Sequence, residues 1–259
     1  MNGERVIARE VGIVVAAATV YFGVRLIVEG STARAVTNAD RILSLEGRLG
    51  IDIERDAQQF ILDHRWAEWI ANASYVWLHW PLLIAVLVVL FRRDRAVYLR
   101  LRRALVASGA VGLFFFWLMP TAPPRFMPGF EGTVSDAARR HYLGYPLDWA
   151  NPYASMPSFH VGWTTIACLA LATTLTSRRA RLVAMIPAVL VAFAVVTTAN
   201  HYVLDLLVGL AIALIAFAAA DTASWRGASR LRPAWRRVRI DAPSRPAHTT
   251  SRAAGPDTR

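Results

Sequence analysis

Six long apolar runs, separated by short polar segments, organise the chain. They lie at about residues 11–28, 69–91, 104–119, 157–176, 182–198 and 201–220. Each run is close to the roughly 20 residues that a helix needs to cross a bilayer. The pattern therefore predicts an all-α fold, a polytopic membrane bundle of six helices. The first run is similar to a signal peptide, but no clear small-x-small cleavage site follows it, so we interpret it as a signal anchor.

The segment between the first two runs, residues 29–69, is polar and rich in acidic side chains. Apolar residues recur in it at helical spacing, first at Ile42, Leu45 and Leu49 and then at Ile53, Ala57, Phe60 and Ile61. This spacing predicts two short amphipathic helices, which lie on the membrane surface or against the other helices.

Composition and charge narrow the class of protein. The chain has 259 residues, of which 55% are hydrophobic, a formal net charge of +11, and 29 basic residues that are all arginine. The arginines cluster between the apolar runs and in the tail, which is typical of a membrane protein rather than of a nucleic-acid-binding groove. We therefore expect no nucleic-acid partner, a membrane domain over residues 1–220, and a disordered, arginine-rich cytoplasmic tail over residues 221–259.

The arginine clusters also predict the orientation in the membrane. Under the positive-inside rule the N-terminus, a short basic loop at residues 92–103, a loop at residues 178–181 and the tail face the cytoplasm. Both termini are then cytoplasmic, and Arg125, His160 and His201 lie together on the extracytoplasmic side. We expect the membrane to be a bacterial plasma membrane.

His201 and Asp205 stand at the start of the sixth run, four residues apart, so a helix would place them on one face. A carboxylate inside a membrane span costs roughly 2.5–3.5 kcal/mol on insertion scales, so a partner or a function is expected for it. An aspartate bonded to one imidazole nitrogen fixes the tautomer and leaves the other nitrogen free as a nucleophile. A His–Asp pair that only joins two helices is the structural alternative, and the spacing does not decide between them.

The start of the fourth run combines Pro157, Ser158 and His160. Proline suits the first helical turn, and the free N–H groups there attract anions together with the positive end of the helix dipole. A phosphate bound at this end would have Ser158 as an additional donor and His160 one turn below it. The alternative is an ordinary proline-started helix whose histidine meets interfacial water.

Arg125 follows three prolines in the loop after the third run. A stiff backbone there would hold the guanidinium for bidentate recognition of a phosphate, although a snorkelling interfacial arginine is the common alternative. Arg139, Arg140 and His141 in the same loop could also meet an anion, but three adjacent polar residues are more often a solvated face.

A metal site is a further alternative, because His160, His201 and Asp205 could form a three-ligand set. The proline-started helix and the nearby Arg125 suit an anion better than a cation. We therefore predict that the site holds no metal.

Two separated motifs carry a family resemblance. The sequence Pro157-Ser158-Phe159-His160, followed by His201 and Asp205, resembles the second and third signature motifs of the type 2 phosphatidic acid phosphatase superfamily. Residues 120–125, 155–162 and 199–202 are similar to its inositol-phosphorylceramide-synthase-like (inositolphosphotransferase-type) branch. The resemblance implies a six-helix bundle with a metal-free site. It also implies that His201 attacks phosphorus to give a phosphohistidine, that Asp205 orients His201, and that His160 protonates the leaving group.

Four motif positions depart from the superfamily pattern. Leu118 stands in place of a lysine, Phe126 of a proline, Val195 of an arginine and Phe159 of a glycine. Two phosphate-binding cations are therefore missing from their usual positions. Arg139, Arg140 or an arginine of residues 29–69 is a candidate to replace them.

We therefore predict an integral membrane enzyme without a cofactor that acts on a lipid-linked phosphate, held by Arg125 and Ser158, at the extracytoplasmic face. It is a phosphatase if water accepts the phosphoryl group, and a phosphotransferase if a polyol or a sugar does. The alternative is a non-catalytic lipid transporter or scaffold with a degenerate site. The missing cations favour that alternative, whereas the retention of His160, His201 and Asp205 together disfavours it.

Overall fold

The computed structural model describes residues 3–27, 30–134 and 151–228. Within these ranges the secondary structure is helical, apart from an isolated bridge between Thr121 and Ala154, so the predicted all-α class is confirmed. The candidates Arg139, Arg140 and His141 lie outside the described residues.

The described residues form nine α-helices. They are α1 (Gly3–Ile27), α2 (Thr32–Leu49), α3 (Glu54–Asp63), α4 (Arg65–Ala73), α5 (His79–Arg93), α6 (Arg95–Leu118), α7 (Phe159–Thr173), α8 (Arg178–Thr197) and α9 (Val203–Ala228). A π-helical segment, Ser74–Leu78, joins α4 to α5, and a 3-10 turn, Pro124–Phe126, follows α6. The helix α9 continues past residue 220, where the tail was predicted to begin. Residues 229–259 lie outside the described ranges, so the disorder of the tail stays a prediction.

Five helical stretches in the described residues are long and apolar enough to cross a membrane. They are Glu4–Arg25, Arg65–Arg93, Arg95–Leu118, Arg178–Thr197 and Val203–Ala220. This content indicates an integral membrane protein. The run predicted at 157–176 corresponds to α7, whose 15 residues extend about 22 Å, less than the roughly 30 Å of a bilayer core. The count of six spans therefore stays a prediction.

The helix α7 lies inside the bundle, and two glycines set its approach to α9. A Cβ atom at Gly162 would clash with the carbonyl oxygen of Gly209, and a Cβ atom at Gly209 would clash with the backbone of Ser158. Without these side chains the two backbones approach closely, as small residues allow between membrane helices. The crossing places the start of α7 beside the start of α9.

The bulky Phe159 is accommodated by Gly112 of α6, where a Cβ atom would clash with the phenyl ring. The ring stacks on Trp163 with 5.1 Å between centroids and meets Phe116 edge-on at 6.2 Å. The departure from glycine at position 159 therefore fills the apolar core between α6 and α7.

The predicted basic loop over residues 92–103 is wrong, because Asp94 alone separates α5 from α6. The Asp94 side chain caps α6 by accepting hydrogen bonds from Ala96 N and Val97 N, both at 3.1 Å. Residues 178–181 are likewise the first turn of α8 rather than a loop. Arginine is a good helix former, so a basic cluster at a membrane boundary can continue a helix.

The helices α2 and α3 form where two amphipathic helices were predicted, but α2 buries a different face. Its buried residues are Ala35, Asn38, Ala39, Ile42 and Glu46, whereas Leu45 and Leu49 are exposed. Asn38 Nδ2 donates to Pro120 O at 2.8 Å, so α2 packs on the polar backbone that follows α6. Small and polar residues suit that contact better than leucine does. The position of α2 and α3 on a membrane surface stays a prediction.

The end of the bundle where α6 begins is held by ion pairs. Glu10 of α1 pairs with both Arg95 and Arg102 of α6, and it accepts a hydrogen bond from Tyr98 Oη at 3.2 Å. Arg100 Nε donates to the backbone oxygen of residue 217 in α9 at 3.0 Å. These contacts join α1, α6 and α9 at the end that was predicted to face the cytoplasm.

Candidate active site

The turn between α8 and α9 presents His201. Asn200 N and His201 N both donate to Val195 O, at 3.1 and 3.0 Å, and thereby close the end of α8. Ala199 in this turn has a left-handed backbone with φ of 51°. A residue with a Cβ atom pays on the order of 1 kcal/mol or more for that conformation, and such residues cluster at functional sites.

His201 and Asp205 form the predicted pair across the start of α9. His201 Nδ1 lies 3.3 Å from Asp205 Oδ2, and the Asp205 side chain is fully buried. His201 lies in the turn before α9 rather than within the helix. A carboxylate in this position favours the tautomer that carries the imidazole proton on Nδ1 and a lone pair on Nε2.

Ser155 completes this network, although its role was not predicted from the sequence. Its hydroxyl donates to Asp205 Oδ2 and lies 3.4 Å from His201 Nδ1. Tyr202 N donates to the same carboxylate oxygen at 3.1 Å. These donors fix the carboxylate that orients the imidazole. The available signal was the place of Ser155 within the same polar stretch as His160.

Arg125 lies against the same turn. Its backbone N–H donates to Ala199 O at 2.9 Å, and its Nη1 donates to Asn200 Oδ1 at 2.6 Å. Asn200 is itself held, since its Nδ2 donates to Thr198 Oγ1 at 2.6 Å. The guanidinium is therefore placed next to His201, where it can bind an anion.

The start of α7 is tied to the start of α9 through Ser158, which is the N-cap residue of α7. Its backbone N–H donates to Asp205 O at 2.9 Å. Its hydroxyl is fully buried and has no hydrogen-bond partner among the described residues. Because α7 begins at Phe159, Pro157 precedes the cap, and His160 lies in the first turn rather than one turn below it.

Three imidazole rings lie in a row beside this helix start. The ring centroids of His160 and His201 are 5.7 Å apart, and those of His160 and His79 are 4.7 Å apart. His79 Nδ1 is 2.8 Å from Thr164 Oγ1, and Tyr75 stacks on His160 with 5.1 Å between centroids. Tyr75 and His79 lie in or next to the π-helical segment, a feature frequent at functional sites. Neither residue was predicted from the sequence, because both fall inside an apolar run.

Two buried glutamates, which were not predicted from the sequence, cap α9 from α2 and α3. Glu46 Oε1 accepts a hydrogen bond from Leu204 N at 2.7 Å, and Glu54 Oε1 accepts one from Val203 N at 2.8 Å. Acceptors at a helix start satisfy N–H groups that have no partner within the helix. Burial raises the pKa of Glu46 to about 9, and the nearby carboxyl groups of Glu54 and Asp205 act in the same direction.

The described residues contain no group of three or more His, Cys, Asp or Glu side chains placed to hold a metal ion. The three-ligand alternative built on His160, His201 and Asp205 therefore gains no support from their placement. The structure does bring all five predicted site residues to the starts of α7 and α9 and the turns beside them. Their roles stay predictions.

A comparison with protein families matches residues 40–219 to a family model described as PAP2 superfamily. The matched region is well over half of the chain. The chain belongs to the PAP2 superfamily. No curated protein and no solved structure matches it. PAP2 proteins are phosphatases, so membership supports an enzyme with phosphatase-type activity on a lipid phosphate.

At the two motif positions where the PAP2 pattern has cations, this chain has apolar side chains. Leu118 is the last residue of α6 and is exposed. Val195 is fully buried in a cluster with Val161 and Val191. A bound phosphate therefore has to be neutralised by other residues of this chain.

Proposed function

We propose that this PAP2 protein is a lipid-phosphate phosphatase or phosphotransferase that works through a phosphohistidine at His201. The His201–Asp205 pair carries the proposal, because the buried carboxylate engages Nδ1 and leaves Nε2 as the nucleophile. His160, with its ring 5.7 Å from that of His201, is the proton donor for the leaving group.

The reaction has two steps that balance. In the first, His201 Nε2 forms a bond to phosphorus while the P–O bond to the leaving group breaks, and the leaving oxygen takes a proton from His160. Asp205 stabilises the positive charge on the His201 ring. In the second, water or an alcohol attacks phosphorus and gives its proton to His160, the P–N bond breaks, and His201 is restored.

The start of α7 supplies the uncharged hydrogen-bond donors of the proposed phosphate site. The first N–H groups of a helix have no partner within it and favour anions. The unpartnered Ser158 hydroxyl adds a further donor. Arg125, held by Asn200 beside His201, supplies a guanidinium that can bind two phosphate oxygens.

The acceptor decides between hydrolysis and transfer. Water gives a phosphatase, and a polyol or a sugar gives a phosphotransferase. The likeness of residues 120–125, 155–162 and 199–202 to the inositolphosphotransferase-type branch supports transfer. If a whole headgroup is transferred, the lipid alcohol is the leaving group and the link to His201 is a phosphodiester.

We place the site on the extracytoplasmic side of the membrane. The arginine-rich ends of α6 and α8 support this orientation, because basic residues favour the cytoplasmic side. The chemistry needs no metal, since His201 and His160 supply the nucleophile and the proton.

Phosphate release from a panel of lipid phosphates tests the proposal, with purified wild type, His201→Ala and Asp205→Asn, each with and without EDTA. We expect release that survives EDTA, disappears in His201→Ala and falls on the order of 10³- to 10⁴-fold in Asp205→Asn. The matched control is His64→Ala, which removes an exposed histidine between α3 and α4 and should leave release unchanged.

Two results would contradict the proposal. Loss of release on chelation would indicate a metal mechanism. No release from any lipid, no radiolabel trapped on His201, and no transfer to inositol or sugar alcohols would favour the non-catalytic transporter or scaffold. The apolar residues at positions 118 and 195 are the observation that supports that second candidate.

A further inference from the structure

The phosphate site described so far is short of positive charge. A phosphate monoester carries between one and two negative charges near neutral pH, since its second pKa is about 6. Arg125 supplies one guanidinium on the His201 side of the site. Positions 118 and 195 supply none. A second arginine on the His160 side would balance the remaining negative charge.

The helix α1 brings an arginine to that side. Tyr21 of α1 packs on Trp163 of α7 with 5.2 Å between ring centroids. Arg25 follows one turn later on the same face of α1, and thus lies closer to the start of α7. Its Cζ lies 5.7 Å from the ring centroid of Phe116, and that ring contacts Phe159, the residue beside His160.

A further contact ties Arg25 to the site. Asn151, which opens the polar stretch that ends at His160, donates from Nδ2 to Arg25 O at 3.1 Å. This hydrogen bond and the Phe116 contact hold Arg25 beside the segment that carries the residue proposed to protonate the leaving group.

The guanidinium of Arg25 has donor capacity left. Its Nε is buried and has no hydrogen-bond partner among the described residues. The hydroxyl of Ser158, two residues before His160, is also buried and has no hydrogen-bond partner among the described residues. Buried donors without acceptors are costly and rare in folded proteins, and a ligand is one explanation for them.

We propose that Arg25 is a second phosphate-binding residue, which neutralises the substrate phosphate from the His160 side while Arg125 does so from the His201 side. This inference rests on the proposed function. It also makes α1 part of the site, although α1 lies before residues 40–219, which match the PAP2 superfamily. A helix that could serve only as a membrane anchor would thus supply a charge that the usual motif positions lack.

Binding of orthophosphate tests the inference without relying on turnover. The probe is the rise in melting temperature of the purified full-length protein as orthophosphate is added, which gives an apparent Kd. We expect Arg25→Gln to weaken orthophosphate binding about 10- to 100-fold, the effect of losing a charged hydrogen bond. In the lipid-phosphate assay it should raise KM more than it lowers kcat. Arg25→Lys keeps the positive charge but lacks the planar guanidinium that forms two parallel hydrogen bonds, so it should bind orthophosphate with an intermediate Kd.

The matched control is Arg9→Gln on the same helix, since Arg9 is exposed and lies at the other end of α1 from Arg25. It should leave both the Kd and KM unchanged. Arg25→Met retains an apolar stem over Phe116 and replaces Arg25→Gln if that variant does not fold.

The outcomes separate the two proposals. If Arg25→Gln or Arg25→Met binds orthophosphate as the wild type does, the role of Arg25 is structural, and the His201 mechanism is unaffected. If the wild type neither binds orthophosphate nor releases phosphate from any lipid, both proposals fail.

Discussion

The two ends of the bundle use charged residues in opposite ways. Where α6 begins, the carboxylate of Glu10 is matched by Arg95 and Arg102. At the other end lie buried polar atoms without a hydrogen-bond partner among the described residues, namely Arg25 Nε, Glu46 Oε2, Ser158 Oγ and Asp205 Oδ1. Arg95 Nη1 is such an atom at the first end, but its guanidinium is already paired with Glu10.

This difference distinguishes a structural network from a candidate site. A buried donor or acceptor left without a partner costs about 1–3 kcal/mol, so a group of them near two histidines calls for an explanation. A phosphate would supply acceptors for Arg25 and Ser158. The paired charges around Glu10 need no such ligand, and we assign them to stability.

Gly209→Ala should have the largest effect on kcat among substitutions that leave the side chains of the site unchanged. The new Cβ atom would clash with the Ser158 backbone and shift the start of α7 relative to Asp205. A displacement of about 1 Å can cost about 10²-fold in rate, so we expect kcat to fall about 100-fold. Overpacking should lower the free energy of unfolding by about 1–3 kcal/mol. Steady-state kinetics and thermal unfolding of the same preparation measure both.

Gly12→Ala in α1 is the control for this prediction, because a Cβ atom there meets nothing within 4 Å. It should change neither kcat nor stability appreciably. A wild-type rate in Gly209→Ala would mean that the α7–α9 crossing does not set the geometry of the site.

Glu46→Gln should change how stability depends on pH. Because the pKa of Glu46 is about 9 in the folded protein, against roughly 4.3 for a free glutamate, the folded state holds a proton that the unfolded chain releases. The Glu46 carboxyl contributes its full stabilisation below the pKa that it has in the unfolded chain. This contribution is lost as the pH rises from that value through about 9. The melting temperature of the wild type should therefore fall over this window. Glu46→Gln keeps an acceptor for Leu204 N and should flatten the fall.

The control for this prediction is Asp40→Asn, which neutralises an exposed carboxylate on the same helix α2. It should leave the slope of melting temperature against pH as it is in the wild type. Parallel curves for the wild type and Glu46→Gln would show that the Glu46 carboxyl does not hold the proton.

Glu10→Gln should have the smallest effect on activity. Loss of the carboxylate leaves Arg95 and Arg102 without their partner and should lower the free energy of unfolding by about 1–3 kcal/mol. The change in kcat should stay within about twofold, because the pair lies at the end of the bundle away from His201. Glu4→Gln, an exposed residue of α1, is the control for stability. A large fall in kcat with the fold intact would contradict the separation of the two ends.

The sequence predicted the main elements of the site for a topological reason. His160 and His201 each stand where a polar segment leads into an apolar run, and the alternating orientation of the runs places both histidines at one end of the bundle. The spacing of His201 and Asp205 then predicted their contact, which the structure has at 3.3 Å. Arg125 followed from the same argument, and it too contacts the turn that carries His201.

The parts that the sequence did not predict depend on which segment packs against which. Glu46 and Leu204 are 158 residues apart in the chain, and no periodicity links them. Hydrophobic spacing indicates which face of a helix is apolar. The helix α2 nevertheless buries Asn38 and Glu46 and exposes Leu45, because Asn38 and Glu46 form hydrogen bonds with backbone groups of other segments. Apart from Asp94, residues 92–103 are helical rather than a loop, because arginine is charged but is also a good helix former.

The contact between Gly112 and Phe159 gives a rule for comparing related sequences. The phenyl ring occupies the space that a side chain at position 112 would need, so the two positions cannot both be large. A relative with glycine at position 159 has room for a bulkier residue at position 112. A relative with phenylalanine at position 159 should retain glycine at position 112. Substitutions at positions 112 and 159 should therefore be correlated across the family. An ancestor with phenylalanine at position 159 and a larger residue at position 112 would have had a clash between the two side chains.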